Sequence, residues 1–450
     1  MALDEEKAQQ HMTRSEEPGE VERSRRDSLQ RCHPGILGWM PSWFFPAVEK
    51  DPGPAPDGGF RAWMIIISTH LIVMNTWGVI NSFGAFQSYY VDSLSRPPSD
   101  VAWIGSVQVF LLFFVGVFTG RLADAGFFRP LAVLGSMLIV AGTMASSVCT
   151  QYWQILLAQG VCVGLGNGCL FCPVVAVSSS YFDKHRSIAI GLQACGSATG
   201  GVVYPSIVRE LLPRLGLAWT IRIIGFLQLA GLIVGVVTVR PRLPPRQSGR
   251  LVEWAIFKEA QFVYFALGSF LCFWGVYFAL FYVAAYARDV QNMAYTTSLD
   301  LVMIMSAISI LGRLIPNYLA DRFGALTVFV PTAGLSALTV FSWTAVNSKP
   351  GLYIWVAFSG PCLGGMQSMF PAALASLTPD ASKQGARLGM MFTIISFAVL
   401  TGSPISGALI TSAGGRYIGA QVFAGSVLAA GAAFLGLAEV IERRKSRQIK

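Results

Sequence analysis

The sequence predicts an all-α membrane protein with 12 transmembrane helices in two pseudo-symmetric six-helix bundles. Three observations carry that prediction. Apolar runs near the ~20 residues that an α-helix needs to cross the hydrocarbon of a bilayer recur twelve times after Phe60. Hydrophobic residues make up 53% of the chain and charged residues only 13%, and the mean hydropathy is +0.55, an excess that a soluble chain would have to expose to water. Motifs then return at one nearly fixed offset, which makes the second half a diverged copy of the first.

The runs fall at 62–86, 101–120, 130–149, 153–177, 187–208, 219–239, 262–286, 299–319, 326–346, 352–376, 386–410 and 418–440. Strand-like alternation is missing from them, and only helices satisfy their own backbone hydrogen bonds in lipid in such numbers. Residues 1–59 are polar, rich in Glu, Arg, Ser and Pro, and read as a disordered tail. Within it the WMPSWFFP patch, Trp39 to Pro46, suits the headgroup layer. Even-numbered connections carry twelve Lys and Arg, odd-numbered ones seven, and the tails, which share the even side, add twelve more. Positive residues collect on the cytoplasmic side, so both termini are expected there, in a multi-pass protein of the cell membrane.

GRLADAGFFRP (Gly120 to Pro130) follows the second run and NYLADRFGAL (Asn317 to Leu326) the eighth, and Asp124 and Asp321 lie 197 positions apart. Asp183 and Asp380 repeat that offset, while Pro173 and Pro371, and Gly191 and Gly389, differ by 198. The expected organisation is therefore an N-terminal bundle at 60–239, a basic, proline-rich linker at 240–260, a C-terminal bundle at 261–440 and a short tail at 441–450. Parallel six-helix repeats around a mid-membrane site imply alternating access.

Other classes fit poorly. Seven of the eight cysteines, Cys149 to Cys362, fall in or beside apolar runs rather than in a secreted disulfide framework. Cys169 and Cys172 have zinc-like spacing but no second pair and no histidine nearby, so no metal site and no cofactor is expected. The net charge of +9 is spread over short connections, which argues against a nucleic-acid partner. No nucleophile-base pair or phosphate-binding loop stands inside the runs, so no enzyme is expected.

Arg313 is the arginine that no connection can claim. A cation at mid-bilayer costs from about 3 to more than 10 kcal/mol, so it is expected to face a watery cavity and meet an anion. Its guanidinium suits a bidentate grip on a carboxylate; bonding to helix-end carbonyls or snorkelling is the plainer account. Asp124, Arg121, Arg129, Asp321 and Arg322, at matching helix ends, read as a gate whose salt bridges and helix-terminus contacts break on opening, or else as solvated turns. His70, alone deep in an apolar run, is either a proton site or a neutral histidine bonded to a helix backbone. Asn75, Asn81, Asn167, Gln193 and Gln367 either line the cavity or bond helix to helix. Aromatics of the seventh run, Tyr277 among them, are expected partly over the substrate and mostly in lipid or core.

The sequence resembles a known family at these motifs. GRLADAGFFR is similar to the loop after helix two of the major facilitator superfamily. PDGGFRAW (Pro56 to Trp63) and YFDKHRSIAIG (Tyr181 to Gly191) resemble signatures of the monocarboxylate porter family, and WGVINSFGAFQSYY (Trp77 to Tyr90) and VAWIGSVQVFLLFFVG (Val101 to Gly116) are similar to its fungal branch. The resemblance implies the major facilitator fold and carriage of small organic acids, often with protons. The family's carboxylate-holding arginine matches Arg313. Its proton-carrying acid falls at Ser309 and its lysine at about Asn81, so the chain departs from the proton-handling pattern.

The expected function is secondary transport of a small organic anion, a monocarboxylate, by alternating access around Arg313, Asn81, Asn167, Gln367 and Tyr277, with the lipid bilayer and protons as the other partners. An efflux transporter for a fungal secondary metabolite is the alternative; a non-transporting nutrient sensor is more remote.

Overall fold

The computed structural model describes residue 53 and residues 55–243, 254–378 and 381–449. Most of the predicted tail, the middle of the linker and Asp380 lie outside the described residues. The first six crossings are α1 (Gly59–Leu94), α2 (Pro98–Leu122), α3 (Phe128–Ser146), α4 (Tyr152–Ser179), α5 (186–215) and α6 (217–238). The second six are α7 (Ala260–Asp289), α8 (Tyr295–Phe323), α9 (Ala325–Ser342), α10 (Lys349–Ser376), α11 (Ala381–Ser412) and α12 (Ile418–Ile449). No strand occurs among the described residues.

Nine helices among the described residues, with kinks joined, are long and apolar enough to cross a membrane. Two of them are double crossings, broken by glycine in the left-handed region: Gly126 (φ 98°) between α2 and α3, and Gly216 (φ 73°) between α5 and α6. Such backbone is open to glycine at little steric cost. Counting both halves of these two and adding α10 gives the twelve expected crossings. Gly196 and Gly200 of α5 meet His70 and Gly78 of α1, whereas Gly231 and Gly235 of α6 meet Asn75 and Ile72, so the chain runs up beside α1 and returns. The linker contributes one described turn, the 3₁₀ segment Trp254–Lys258, and Glu259 then pairs with Arg387 of α11 at 2.9 Å.

Helix contacts respect the repeat. Within the first bundle α1 packs on α5; between bundles α2 packs on α11 and α5 on α8, two pairings that exchange under the repeat. Small residues set these distances. A Cβ on Gly78 would sit 2.6 Å from Gly200 Cα, and one on Gly200 would sit 2.5 Å from Met74 O. Backbones that approach so closely gain van der Waals contact, which replaces the hydrophobic driving force absent in lipid. Outward faces carry exposed apolar side chains such as Phe226, Ile233, Val237, Leu338 and Phe358, as lipid contact requires. The helix-seven aromatics go inward instead: Phe273, Tyr277, Phe278, Phe281 and Tyr282 are all buried, and Phe270 and Trp274 partly so.

Gly200→Leu should therefore prevent α1 and α5 from closing and abolish recovery of monodisperse protein in detergent. Gly334→Leu, where a Cβ meets nothing within 4 Å, should elute as the native protein does on size-exclusion chromatography.

Candidate functional site

Call the end where α1 begins and α12 ends the near side, and the other the far side. Arg313 lies ten residues before the near-side end of α8. At ~1.5 Å per residue that is roughly 15 Å deep, halfway across a ~30 Å core. Its side chain is 3% exposed and lines a cavity between the bundles with about 550 Å³ of space free of protein atoms, open solvent included. Nη1 donates to Ser309 Oγ, one turn earlier, and lies 3.4 Å from Ser309 O. Ser309 thus occupies the place of the family's acid with a neutral acceptor. Cys195 and Tyr277 are the ionisable groups that act on Arg313, and neither is a carboxylate. Gly364 of α10 gives the guanidinium its room, since a Cβ there would sit 2.5 Å from Nη1.

Six rings line the cavity as well, Trp77 (α1), Phe113 (α2), Phe171 (α4), Phe273 (α7), Phe370 (α10) and Phe392 (α11), three from each bundle, beside Val73, Val175, Ile190, Ala194 and Pro371. Phe113 stands 5.4 Å from Trp77, 5.9 Å from Phe273 and 5.0 Å from Phe392; Phe370 stands 5.3 Å from Phe273 and 5.7 Å from Phe392. Gln193, Ser197, Gln367 and Ser368 add neutral polar groups. The ring cage is absent from the sequence reading. One signal was available: Phe171 and Phe370 stand just before Pro173 and Pro371, the prolines that repeat in α4 and α10.

The structure sorts the other candidates. Gln367 joins Arg313 in the lining, whereas Asn81, Asn167 and Tyr277 are buried outside it. Asn81 Nδ2 lies 3.5 Å from Ser197 O, tying α1 to α5. Asn167 and the Tyr277 hydroxyl are buried without a protein partner among the described residues. Asn75 accepts from Tyr204 at 2.8 Å, and Gln193 accepts from Ser178, so both also bond helix to helix. His70 lies between α1 and α5, Nδ1 3.0 Å from Leu192 O and Nε2 3.1 Å from Thr199 Oγ1.

On the near side Asp321 crosses between bundles: its two carboxylate oxygens accept from Ser187 N and Ile188 N, each at 3.2 Å, at the start of α5. An anion is favoured there by the unpaired amides and the helix dipole. Arg322 instead donates to Tyr318 and stacks on its ring at 4.6 Å, within its own helix. Arg121 feels the charge of Asp124, and Arg129 that of Arg240. Nearby, Asp57 accepts from Asp183 N and Lys184 N at 2.5 and 2.8 Å, which brings the PDGG and YFDKH motifs together and holds its carboxyl below the ordinary value.

The far side is closed by contacts that sequence reading did not foresee. Arg288 pairs with Asp92 at 2.8 Å, Arg209 with Asp300 at 2.9 Å, and Tyr295 donates to Ala85 O at 3.0 Å. A Cβ on Gly84 would sit 2.9 Å from Leu280 O, so α1 and α7 touch at the backbone.

Two six-helix bundles around a mid-membrane cavity, sealed at one end, define a membrane transporter. The chain belongs to the Major Facilitator Superfamily, whose model matches residues 66–316 and 301–450. An MFS-type transporter of Gibberella zeae is 49% identical over 395 residues, 87% of this chain and 90% of its own. A fujikurins efflux protein of Gibberella fujikuroi is 34% identical over 400 residues (86% and 84%), and an aspyridones efflux protein of Emericella nidulans 32% over 386 (85% and 78%). The expected narrowing to monocarboxylate porters is not supported. Two of these relatives are named as efflux proteins, for fujikurins and for aspyridones.

The Arg313–Ser309 contact yields a prediction. Ser309→Asp gives the guanidinium a permanent counter-ion, so the thermal midpoint of the purified protein should rise and its further rise with added organic anions should vanish; a fall in midpoint would mean that Arg313 already has an anionic partner.

Proposed function

We propose that the chain exports an acidic, ring-bearing organic metabolite by alternating access, its cavity loading from the cytoplasm. One observation carries this reading: a cage of six rings drawn equally from both bundles, with a guanidinium that meets no carboxylate among the described residues. A small monocarboxylate would engage Arg313 and leave the rings unused, whereas a larger conjugated acid uses both. The efflux named for the relatives from Gibberella fujikuroi and Emericella nidulans agrees with that cargo.

In this reading the bundles at 60–239 and 261–440 rock about the cage, and the linker at 240–260 tethers them. Both termini are cytoplasmic in the cell membrane, so the near side faces the cytoplasm. In the present form the far side is closed and Asp321 also bridges α8 to α5 on the near side. Asp321, with Asp124 at the matching turn of the other repeat, holds the near side and lets go of α5 when that side opens to load. His70, bonded at both ring nitrogens within the first bundle, serves as structure rather than as a proton carrier.

Binding to the purified full-length protein tests the cargo class, with 2-naphthoate, its methyl ester and lactate as probes. The expected order is naphthoate tightest and lactate weakest. Arg313→Gln should remove the preference for acid over ester, a loss of roughly tenfold or more for a charge-assisted pair. Equal affinity of lactate and naphthoate, or an acid preference that survives Arg313→Gln, would overturn the assignment.

A further inference from the structure

The near-side corner of the first bundle, where α1 and α3 begin and α6 ends, gathers cations. The charges of Arg61 (α1), Arg240 and Arg242 (just after α6) all act on the Tyr181 hydroxyl, and that of Arg240 acts in turn on Arg129 at the start of α3. The backbone beneath them is pinned. Tyr181 donates to Arg240 O at 2.9 Å, and Arg242 donates to Ser180 O at 3.0 Å and to Gly53 O at 2.6 Å. Arg61 and Arg240 are exposed, and neither side chain has a hydrogen-bond or ion-pair partner among the described residues. Asp57, a few residues before Arg61, is turned to the Asp183 and Lys184 amides instead.

Basic residues collect on one side of a membrane protein as a rule, so the second bundle supplies the comparison. Its matching corner, where α7 and α9 begin and α12 ends, pairs its charges internally. Glu259 stands 198 positions on from Arg61, Thr327 198 on from Arg129, and Glu439 one place beyond the match to Arg240. Arg387 takes Glu259 at 2.9 Å, while Arg443 meets Glu439 at 2.6 Å and Thr327 at 3.4 Å. The repeat thus neutralises one corner and leaves the other cationic. Exposed apolar side chains of α3 (Leu134, Met137) and α6 (Val234, Val237) lead toward the cationic one.

We infer that Arg61, Arg129 and Arg240 form a binding site for the phosphate-bearing headgroup of an anionic phospholipid in the near leaflet, with its acyl chains along α3 and α6. Guanidiniums grip phosphate oxygens in pairs, and basic pockets between membrane helices hold such headgroups. Three cations exceed the single charge of one phosphodiester, so a headgroup with a further phosphate monoester matches best. A lipid seated there bridges α1, α3 and the segment after α6. None of these residues lines the cargo cavity, so the inference stands whatever the cargo is.

Native mass spectrometry of the full-length protein, titrated in detergent with phosphatidylinositol phosphate or phosphatidylcholine, tests this. Phosphatidylinositol phosphate should stay bound where phosphatidylcholine is lost. Arg61→Gln with Arg240→Gln should weaken its binding about tenfold or more, the factor expected of two guanidiniums at a charged headgroup, and Arg61→Lys with Arg240→Lys should retain it. Neither pair of substitutions removes a side-chain contact among the described residues. Lys258→Gln with Arg444→Gln takes two exposed charges from the matching corner and should leave binding unchanged. Equal weakening by the two glutamine pairs would mean that the lipid senses only total charge, and the inference fails. It fails too if inositol bisphosphate, the free headgroup, displaces the lipid at equal concentration, because the site would then take soluble phosphate esters rather than a lipid.

Discussion

A guanidinium roughly 15 Å from the near-side end of its helix, with no carboxylate beside it among the described residues, constrains everything around it. Water, a cavity or an anion must compensate a charge whose burial costs from about 3 to more than 10 kcal/mol. α8 is therefore obliged to present Arg313 to the space between the bundles. Its neighbours are shaped to permit that. Gly364 leaves the volume that Nη1 fills, Gly191 of α5 lies against the Arg313 carbonyl, and Ser309 supplies a neutral acceptor instead of a competing anion. An acid at Ser309 would neutralise the site internally. In the proposed reading the serine keeps the charge available to a guest.

In the proposed reading the rings decide what kind of guest. Trp77, Phe113 and Phe171 belong to one bundle, and Phe273, Phe370 and Phe392 to the other, so a cargo seated among them touches both halves at once. Burial of apolar area is worth ~25 cal/mol per Å², and roughly 150 Å² of ring surface contributes about 4 kcal/mol. A ligand biases a conformational equilibrium only through the difference in its affinity for the two states. In the proposed reading, cargo that bridges the bundles has that difference built in, because rocking the halves apart breaks half of its contacts. A small acid held by Arg313 alone would lack it.

Much of this was legible in the sequence, and the failures have a physical pattern. The twelve crossings and the repeat were readable because charge and helix punctuation stand out against long apolar runs; Asp124 and Asp321, Pro173 and Pro371 mark them. Arg313 stood out for the same reason. The cage did not, because an apolar helix carries aromatics on every face: on α2, Phe113 is 1% exposed and in the cage, while Phe118 is 49% exposed. Neutral polar residues were not separable by sequence: Gln193 and Gln367 line the cavity and Asn81 and Asn167 do not, because such side chains suit either cavity lining or the helix-to-helix bonding seen between Asn75 and Tyr204. Arg313 was thus visible and the rings around it were not, which is why the reading favoured a small acid over a larger metabolite.

The helix pair α5 and α8 ties these levels together. At the near side Asp321 of α8 holds the first amides of α5; at the far side Arg209 of α5 holds Asp300 of α8. Two helices fastened at both ends cannot tilt against each other until one fastening yields. Neither is strong. A carboxylate at a helix N-terminus is worth about 0.3–1 kcal/mol. An ion pair as exposed as Arg209 (39%) and Asp300 (26%) contributes about 1 kcal/mol or less after screening by solvent and salt. Fastenings of that size keep both tilted forms within a few kcal/mol of the closed one. That is the range over which a ligand bound between the rings, worth about 4 kcal/mol by the area estimate, can decide the outcome. Stronger latches, such as a buried charge pair at either end, would hold the protein in one form whatever occupied the cavity.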